Sequence, residues 1–267
     1  MSKNVLITGA ASGFGETLVH AYAGAGWNVT ATMRDTAKAP AAFAELDSVL
    51  VERLDITDEA SIRSALAASE DRFGPLDVLV NNAAYALSGT LEETSIDQIR
   101  RLYETNVFGT LAVTKAVLPG MRERGTGHIL TFSSAGGLVV MPSLPAYSSS
   151  KSAIEGYFEA LAFDLTHLGV KVTIVEPGVF ETQLPTKGDV PEQRIDAYAP
   201  AAEALPDMFD FTPGNLKAAS EAVVEISDAD KAPMRLYVGH GLDSVRRRYQ
   251  DHLDQWAEQE HLTRRTL

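Results

Sequence analysis

The sequence predicts an α/β chain built as one doubly wound parallel sheet of about seven strands with helices on both faces. Three observations carry that expectation. Short β-branched runs alternate with longer amphipathic stretches along the chain, the pattern of repeated right-handed crossovers. Most of the short runs are nearly continuous in apolar residues, as strands covered on both faces should be. No internal repeat, low-complexity tract or linker divides the 267 residues, so a single domain spanning 1–267 is expected.

The first strand, Asn4–Thr8, holds Val5-Leu6-Ile7 and runs into a glycine turn that opens an amphipathic stretch at Phe14–Ala25. The strand Asn28–Met33, a short helical piece at Ala41–Leu46 and the strand Val49–Leu54 follow. Glu59–Phe73 is helical by its apolar spacing, Val78–Asn81 is the fourth strand, and Ile96–Arg124 reads as one long helix. The strands His128–Ser133 and Lys171–Glu176 enclose a helical pattern at Ala153–Leu168. Leu216–Ser227 and the strand Arg235–Val238 close the alternation. One segment departs from it. Residues 180–213 carry Pro185, Pro191, Pro200, Pro206 and Pro213, too many for one helix, among too many hydrophobes for a solvated loop, and read as a substrate-covering flap.

Composition removes several function classes. The 23 basic and 36 acidic side chains give a net charge of −13, which argues against nucleic acid or an anionic membrane as the main partner. The absence of Cys excludes disulfides, thiolate metal sites and a cysteine nucleophile, and suits a reducing cytoplasm. Met1-Ser2-Lys3-Asn4 leads straight into a short apolar run without the pattern of an export signal, and the longest uncharged stretch, Ile129–Ser150, is too rich in Ser, Thr, Gly and Pro to span a bilayer. A cytoplasmic location is expected.

Between the first strand and the first helix stands Thr8-Gly9-Ala10-Ala11-Ser12-Gly13-Phe14-Gly15. Glycines there let the backbone turn sharply and approach a pyrophosphate at the helix N-terminus, and Gly15 permits close helix–strand packing. Farther along, Tyr147 and Lys151 are four apart, so if the helix begins near residue 147 both project from one face of its first turns. A phenol with an ordinary pKa near 10 exchanges protons poorly at neutral pH, and a nearby ammonium favours its phenolate. Ser134 falls at the C-terminal end of the fifth strand, where ligands meet such sheets. Taken singly, each of these residues more often serves packing or solvation.

The glycine spacing resembles the compact single-domain branch of the short-chain dehydrogenase/reductase family. So do Leu54-Asp55-Ile56-Thr57-Asp58, Asn81-Asn82-Ala83-Ala84, Asn106, Ser134, Tyr147-Ser148-Ser149-Ser150-Lys151 and Pro177-Gly178, in that order. The resemblance reaches to about Val238 and implies a single-domain Rossmann fold, a nicotinamide dinucleotide and oxidoreductase activity. It further implies that Ser134 hydrogen-bonds the substrate oxygen and Tyr147 exchanges its proton. Lys151 would hold the nicotinamide ribose and tune Tyr147, and Asn106 would position a water. By family position, Gly9, Ser12, Gly13, Phe14, Gly15, Asp55, Ile56, Asn82, Ala83, Pro177, Gly178, Val179 and Thr182 join Tyr147 and Lys151 around the cofactor. Ala84 stands where the family usually has Gly and requires a torsion that a non-glycine residue can adopt.

Cofactor choice turns on the end of the second strand, where an acid binds the ribose of NAD and an Arg accommodates the phosphate of NADP. The family's acid position falls on Met33 and the next on Arg34, which favours NADP(H); Asp35 leaves NAD(H) open. Leu138, Val140, Met141 and Leu144, with Val179 and the flap residues Leu184, Leu205, Met208 and Phe209, suggest an apolar pocket for a bulky hydrophobic ketone or alcohol, although any of them can pack core or an interface instead. Arg34, the Glu176-Pro177-Gly178 turn and a tail ending near Trp256 are similar to the 17β-hydroxysteroid and retinol dehydrogenase-like subgroup. The tail, 243–267, spaces Val245, Tyr249, Leu253 and Trp256 as an amphipathic helix that packs on the body or on a partner subunit. Family members commonly pair the helices matching Ile96–Arg124 and Ala153–Leu168, so a homodimer or homotetramer is expected. Two other readings are a sugar-nucleotide epimerase or dehydratase, whose glycine spacing differs, and a non-catalytic dinucleotide sensor, against which the retained Ser, Tyr and Lys speak.

Overall fold

The computed structural model describes residues 2–182, 188–203 and 209–267. Seven parallel strands form one sheet: β1 (Asn4–Thr8), β2 (Asn28–Met33), β3 (Val49–Arg53), β4 (Val78–Asn81), β5 (Gly127–Phe132), β6 (Val170–Pro177) and β7 (Arg235–Val238), in the order β3-β2-β1-β4-β5-β6-β7. Every expected strand is present, with ends moved by one residue at most. The order reverses at β1, so the connections leaving β1 and β4 run to opposite faces of the sheet and mark a crevice at its carboxyl edge.

Strand residues alternate between two cores. On one face, Val5 and Ile7 pack with Leu18, Val19 and Tyr22 of α1 (Gly13–Gly24). On the other, Leu6 and Leu79 meet Ile62 of α2 (Glu59–Phe73), followed in chain order by α3 (Ile96–Tyr103), α4 (Thr110–Arg124), α5 (Ala135–Leu138) and α6 (Pro145–Leu165). Val113, Ile154 and Phe158 complete that second core from α4 and α6. After α7 (Ala199–Glu203), α8 (Leu216–Asp228) adds Val223 to the first core.

Three helical expectations need correction. Ala41–Glu45 is a single tight 3₁₀ segment. The long helix is broken by a wider π-type turn at Glu104–Gly109 between α3 and α4, a feature that apolar spacing does not reveal. The helix that carries Tyr147 and Lys151 starts at Pro145, ahead of the apolar pattern that begins at Ala153, because Pro fits a first helical turn, where no amide partner is required.

The flap is described from 188 to 203 and from 209 onward. Its first part is strapped to the loop after β4. Asp189 bridges Leu87, Gln98 Nε2 donates to the Val190 carbonyl at 2.8 Å, and the buried Glu93 carboxylate accepts from the amides of Thr90 (2.8 Å) and Ile195 (2.9 Å). Those two amides hold the Glu93 carboxyl below its ordinary range. The tail forms α9 (Leu242–Glu258) and α10 (Glu260–Thr263). Of its expected apolar stripe, only Val245 is buried; Tyr249, Leu253 and Trp256 are exposed.

Candidate active site

The glycine turn between β1 and α1 is built for close approach. Gly9 has φ +70°, and a Cβ on Gly15 would stand 2.2 Å from the Gly9 carbonyl oxygen, so neither position accepts a side chain without a shift. Thr8 Oγ1 accepts from the amides of Asn82 and Ala83, both at 3.0 Å, and Asn82 Nδ2 donates to the carbonyls of Thr8 (2.9 Å) and Gly9 (3.1 Å). Asn82 therefore latches the loops of β1 and β4 together, and its amide is spent on that latch. Ser12, at the N-cap of α1, makes no side-chain cap, which leaves the amides of the first turn facing the crevice. A cradle that a Cβ would fill, at an uncapped helix N-terminus, fits a dinucleotide pyrophosphate. Thr182 lies against it, its Cβ 3.3 Å from where a Cβ on Gly13 would stand.

Two expected contacts are redirected. The Phe14 ring packs on Phe132 and Phe180, with centroids at 5.2 and 4.8 Å, which leaves its backbone rather than its side chain to the turn. Ile56 is buried in the second core. Asp55 accepts from the amide (3.0 Å) and hydroxyl (2.7 Å) of Thr57. Partial burial would raise its carboxyl, but those bonds and the positive charges of Arg34 and Arg53 keep it below the ordinary range. Ala84 is accommodated, since Ser143 is the only non-glycine with positive φ among the described residues.

Ser134, Tyr147 and Lys151 converge at the carboxyl edge of β5. Ser134 caps α5, its Oγ accepting from the Gly136 amide at 3.0 Å, and its hydroxyl is near enough to the Tyr147 side chain to favour the phenolate. Tyr147 and Lys151 are buried on one face of α6, with Nζ 6.0 Å from the Tyr147 ring centroid. Nζ donates to the Phe132 carbonyl at 2.8 Å. Burial pushes Lys151 down to about 8, a shift that the charge of Glu155 partly opposes. The Tyr147 phenol is not lowered as expected: burial raises it, and the neighbouring Ser134 hydroxyl offsets only part. Asn106 sits in the π-type turn, buried, its Oδ1 accepting from the Tyr85 amide at 3.0 Å and its Nδ2 donating to the Tyr85 carbonyl (2.9 Å) and Ser150 Oγ (3.2 Å). It thus ties the β4 loop to α6 beneath Tyr147.

Comparison with known proteins bears on this arrangement. The family model described as short chain dehydrogenase matches residues 3–192. This chain belongs to the short-chain dehydrogenase family. A short-chain dehydrogenase from Streptomyces avermitilis superposes with a TM-score of 0.90 at 36% identity, covering 100% of this chain and 99% of that one. Human retinol dehydrogenase 8 is 34% identical over 255 residues, 87% of this chain and 80% of its own length. Two further solved structures at 28% identity are ElxO with NADP bound (TM-score 0.76, 89% of this chain and 97% of that one) and a 3-ketoacyl-(acyl-carrier-protein) reductase from Brucella melitensis complexed with NADH (TM-score 0.75, 88% and 96%). The protein is an NAD(P)-dependent oxidoreductase of this family, and its neighbours support a nicotinamide dinucleotide cofactor.

In this short-chain dehydrogenase, Met33 is buried in the first core, Arg34 is exposed, and Asp35 is engaged by its own turn, accepting from the Ala37 amide at 3.1 Å and lying 3.7 Å from Lys38 Nζ. The loop after β6 is fixed by the Gly178 amide donating to the Val238 carbonyl and the Gly214 amide to the Val179 carbonyl, each at 2.8 Å. Of the residues expected to line the substrate pocket, Leu138, Met141, Val179 and Phe209 gather with Ala135, Val139 and Val245 in one apolar cluster. Leu144 caps α6, and Val140 is half exposed, outside that cluster. Leu184, Leu205 and Met208 lie outside the described residues. Among the described residues, no helix is long and apolar enough to cross a membrane.

Sequence reasoning missed Gly137, where a Cβ would stand 3.0 Å from both the backbone carbon and the Cβ of Lys151, so that α5 reaches α6 only across a bare backbone. It also missed a charge cluster behind the site. Arg235 on β7 bridges Glu155 and Glu159 of α6 and Glu176 of β6. No local pattern marks either, because both arise from contacts between distant segments.

Proposed function

We propose that the protein is an NADP(H)-dependent carbonyl reductase, equally a secondary-alcohol dehydrogenase, acting on bulky hydrophobic ketones or alcohols. The observation that carries this reading is the convergence of Ser134, Tyr147 and Lys151 beside the glycine turn. When bound, the nicotinamide supplies or receives a hydride at the substrate carbon. The chain's own groups handle the rest. The Ser134 hydroxyl orients the substrate oxygen, the Tyr147 hydroxyl gives that oxygen a proton in reduction and takes it back in oxidation, and Lys151 Nζ holds the ribose and replenishes the proton. Asn106 keeps the β4 loop at the distance this relay needs. Gly9, Gly13, Gly15 and the first amides of α1 hold the pyrophosphate, with Thr182 across from them.

NADP(H) is favoured because Arg34 is exposed and in no ion pair or hydrogen bond among the described residues, whereas the Asp35 carboxylate is occupied by Ala37 and Lys38. A guanidinium in that state suits a 2′-phosphate. NADPH is expected to bind at least about tenfold more tightly than NADH, or about 1.4 kcal/mol. Arg34→Ala should erase most of that difference. Dissociation constants measured side by side, in both proteins, test it; tighter NADH in the unaltered protein overturns the preference. The apolar cluster around Val179 and Phe209 supports the substrate class, and aryl or alicyclic ketones should be reduced far better than small acyloins or sugars.

Lys151 carries a stability cost that follows from the same role. A Lys whose folded pKa lies near 8 against about 10.4 unfolded is disfavoured by about 3 kcal/mol at neutral pH. With folded pKa below unfolded, the cost is full below pH 8 and fades as pH rises toward the unfolded value. Lys151→Met should therefore lose turnover while its Tm at pH 7 holds or rises. A Tm well below that of the unaltered protein would contradict this account.

A further inference from the structure

A cavity of about 360 Å³ opens beside the start of α6, lined mainly by Leu91, Val140, Met141, Pro142 and Pro145, and by one charged side chain, Arg248 of α9. Met141 also belongs to the apolar cluster around Val179, and Pro145 opens α6, the helix that carries Tyr147, so this cavity borders that cluster and the first turn of that helix. Arg248 follows the buried Ser244 and Val245 by one helical turn and shares their inward face. It makes no ion pair or hydrogen bond among the described residues, unlike Arg246, which pairs with Asp243 at 3.0 Å, while Arg247 points to solvent. The cavity floor is held in place. Ser143 adopts φ +58°, an uncommon conformation for a non-glycine residue, and its carbonyl accepts from the Gly89 amide at 2.8 Å.

A lone guanidinium at the rim of an apolar cavity is poorly served by the cavity's own lining. In a chain of net charge −13, an anion is drawn in only where local positive charge outweighs the general field, and Arg248, in no ion pair among the described residues, supplies such a charge at the cavity. The planar fork of Arg matches a carboxylate through two parallel hydrogen bonds. We propose that Arg248 is a specificity-determining residue that reads a carboxylate at the far end of an otherwise apolar ketone or secondary alcohol. This deepens, and rests on, the reading of the site as one for bulky apolar carbonyl compounds. Leu91, Val140 and Met141 would cover the apolar body, Tyr147 would meet the carbonyl, and the carboxylate would remain at the solvent edge beside Arg248.

The test uses aryl oxo-carboxylates of graded spacer length together with their methyl esters, which keep the body and carbonyl but lose the charge. For the best-fitting spacer, kcat/KM for the acid should exceed that for its ester by about tenfold, the size of one charge-assisted interaction. Arg248→Leu should bring the ratio near one, and Arg247→Leu, which removes the same charge from the solvent face, should leave it. Reduction of the esters without preference for the acids, or a preference that survives Arg248→Leu, overturns the assignment of Arg248 and spares the ketone reading. If neither acids nor esters react with either nicotinamide, the ketone reading falls, and calorimetry decides Arg248 independently. The corresponding aryl-alkanoates, which lack the carbonyl, should bind the unaltered and Arg247→Leu proteins and lose about tenfold in affinity to Arg248→Leu; equal affinity in all three overturns the proposal.

Discussion

Tyr147→Phe is expected to lower kcat by about 10²- to 10⁴-fold, the usual worth of a positioned proton donor, while the dissociation constant for the nicotinamide changes little. The ring is buried, so phenylalanine keeps its packing and removes only the hydroxyl that neighbours Ser134. Ser134 and Lys151 then have no exchangeable proton between them. Because burial holds the phenol above its ordinary pKa, the hydroxyl stays protonated through neutral pH. Ketone reduction by the unaltered enzyme should accordingly hold steady through neutrality and fall only in alkali, whereas alcohol oxidation should rise with pH. Steady-state rates in both directions across pH, with cofactor binding followed in parallel, check each part. Undiminished turnover in the variant would remove Tyr147 from the mechanism.

Arg235→Met should destabilise the fold by about 3 kcal/mol, the lower end of what breaking a buried ion pair costs, because the guanidinium is 35% exposed. Its partners Glu155 and Glu176 are only 9% and 6% exposed and would be left as neighbouring buried carboxylates. Even with Arg235 in place, burial holds the Glu176 carboxyl above its ordinary value; the bond to Arg235 opposes the shift, and the charge of Glu155 adds to it. An acid whose folded pKa exceeds its unfolded one binds more protons when folded, so its penalty is absent below the unfolded pKa and grows as pH rises through the folded one. The deficit of the variant should thus be small in acid and largest at neutral pH and above. Urea denaturation at several pH values measures it, and a deficit independent of pH would show that lost packing, not stranded charge, is responsible.

The sheet was legible in the sequence because its strands are covered on both faces. Runs such as Val5-Leu6-Ile7 and Val78-Leu79-Val80 have no polar side to hide. The start of α6 was not. Ser148-Ser149-Ser150 argues locally against a helix, yet Ser149 and Ser150 return their hydroxyls to the carbonyls of Ala146 (3.0 Å) and Tyr147 (2.7 Å), which satisfies them within the helix. In the candidate site, Ser134, Tyr147, Lys151 and Asn106 were found by spacing and resemblance. The Lys151-facing glycine and the Arg235 cluster were invisible because no short-range pattern encodes a contact between α5 and α6 or between β7 and α6. For the tail, periodicity identified the apolar stripe correctly, but periodicity cannot say whether a stripe is covered, and beyond Val245 it is exposed.

The π-type turn at Glu104–Gly109 acts as a phase shifter. Each residue advances an α-helix by about 100°, so one extra residue in a turn rotates everything beyond it by that amount relative to an uninterrupted helix. Deleting one residue from this segment would restore regular hydrogen bonding and give a locally better helix. It would also swing the side chain at 106 away from Tyr85 and Ser150, or else turn Val113 and Val117 of α4 out of the second core. The irregularity is therefore the condition under which one continuous helical rod can serve two faces at once, a core on one azimuth and a catalytic loop on another. Length variation in this stretch of the chain should be tolerated far less than substitution.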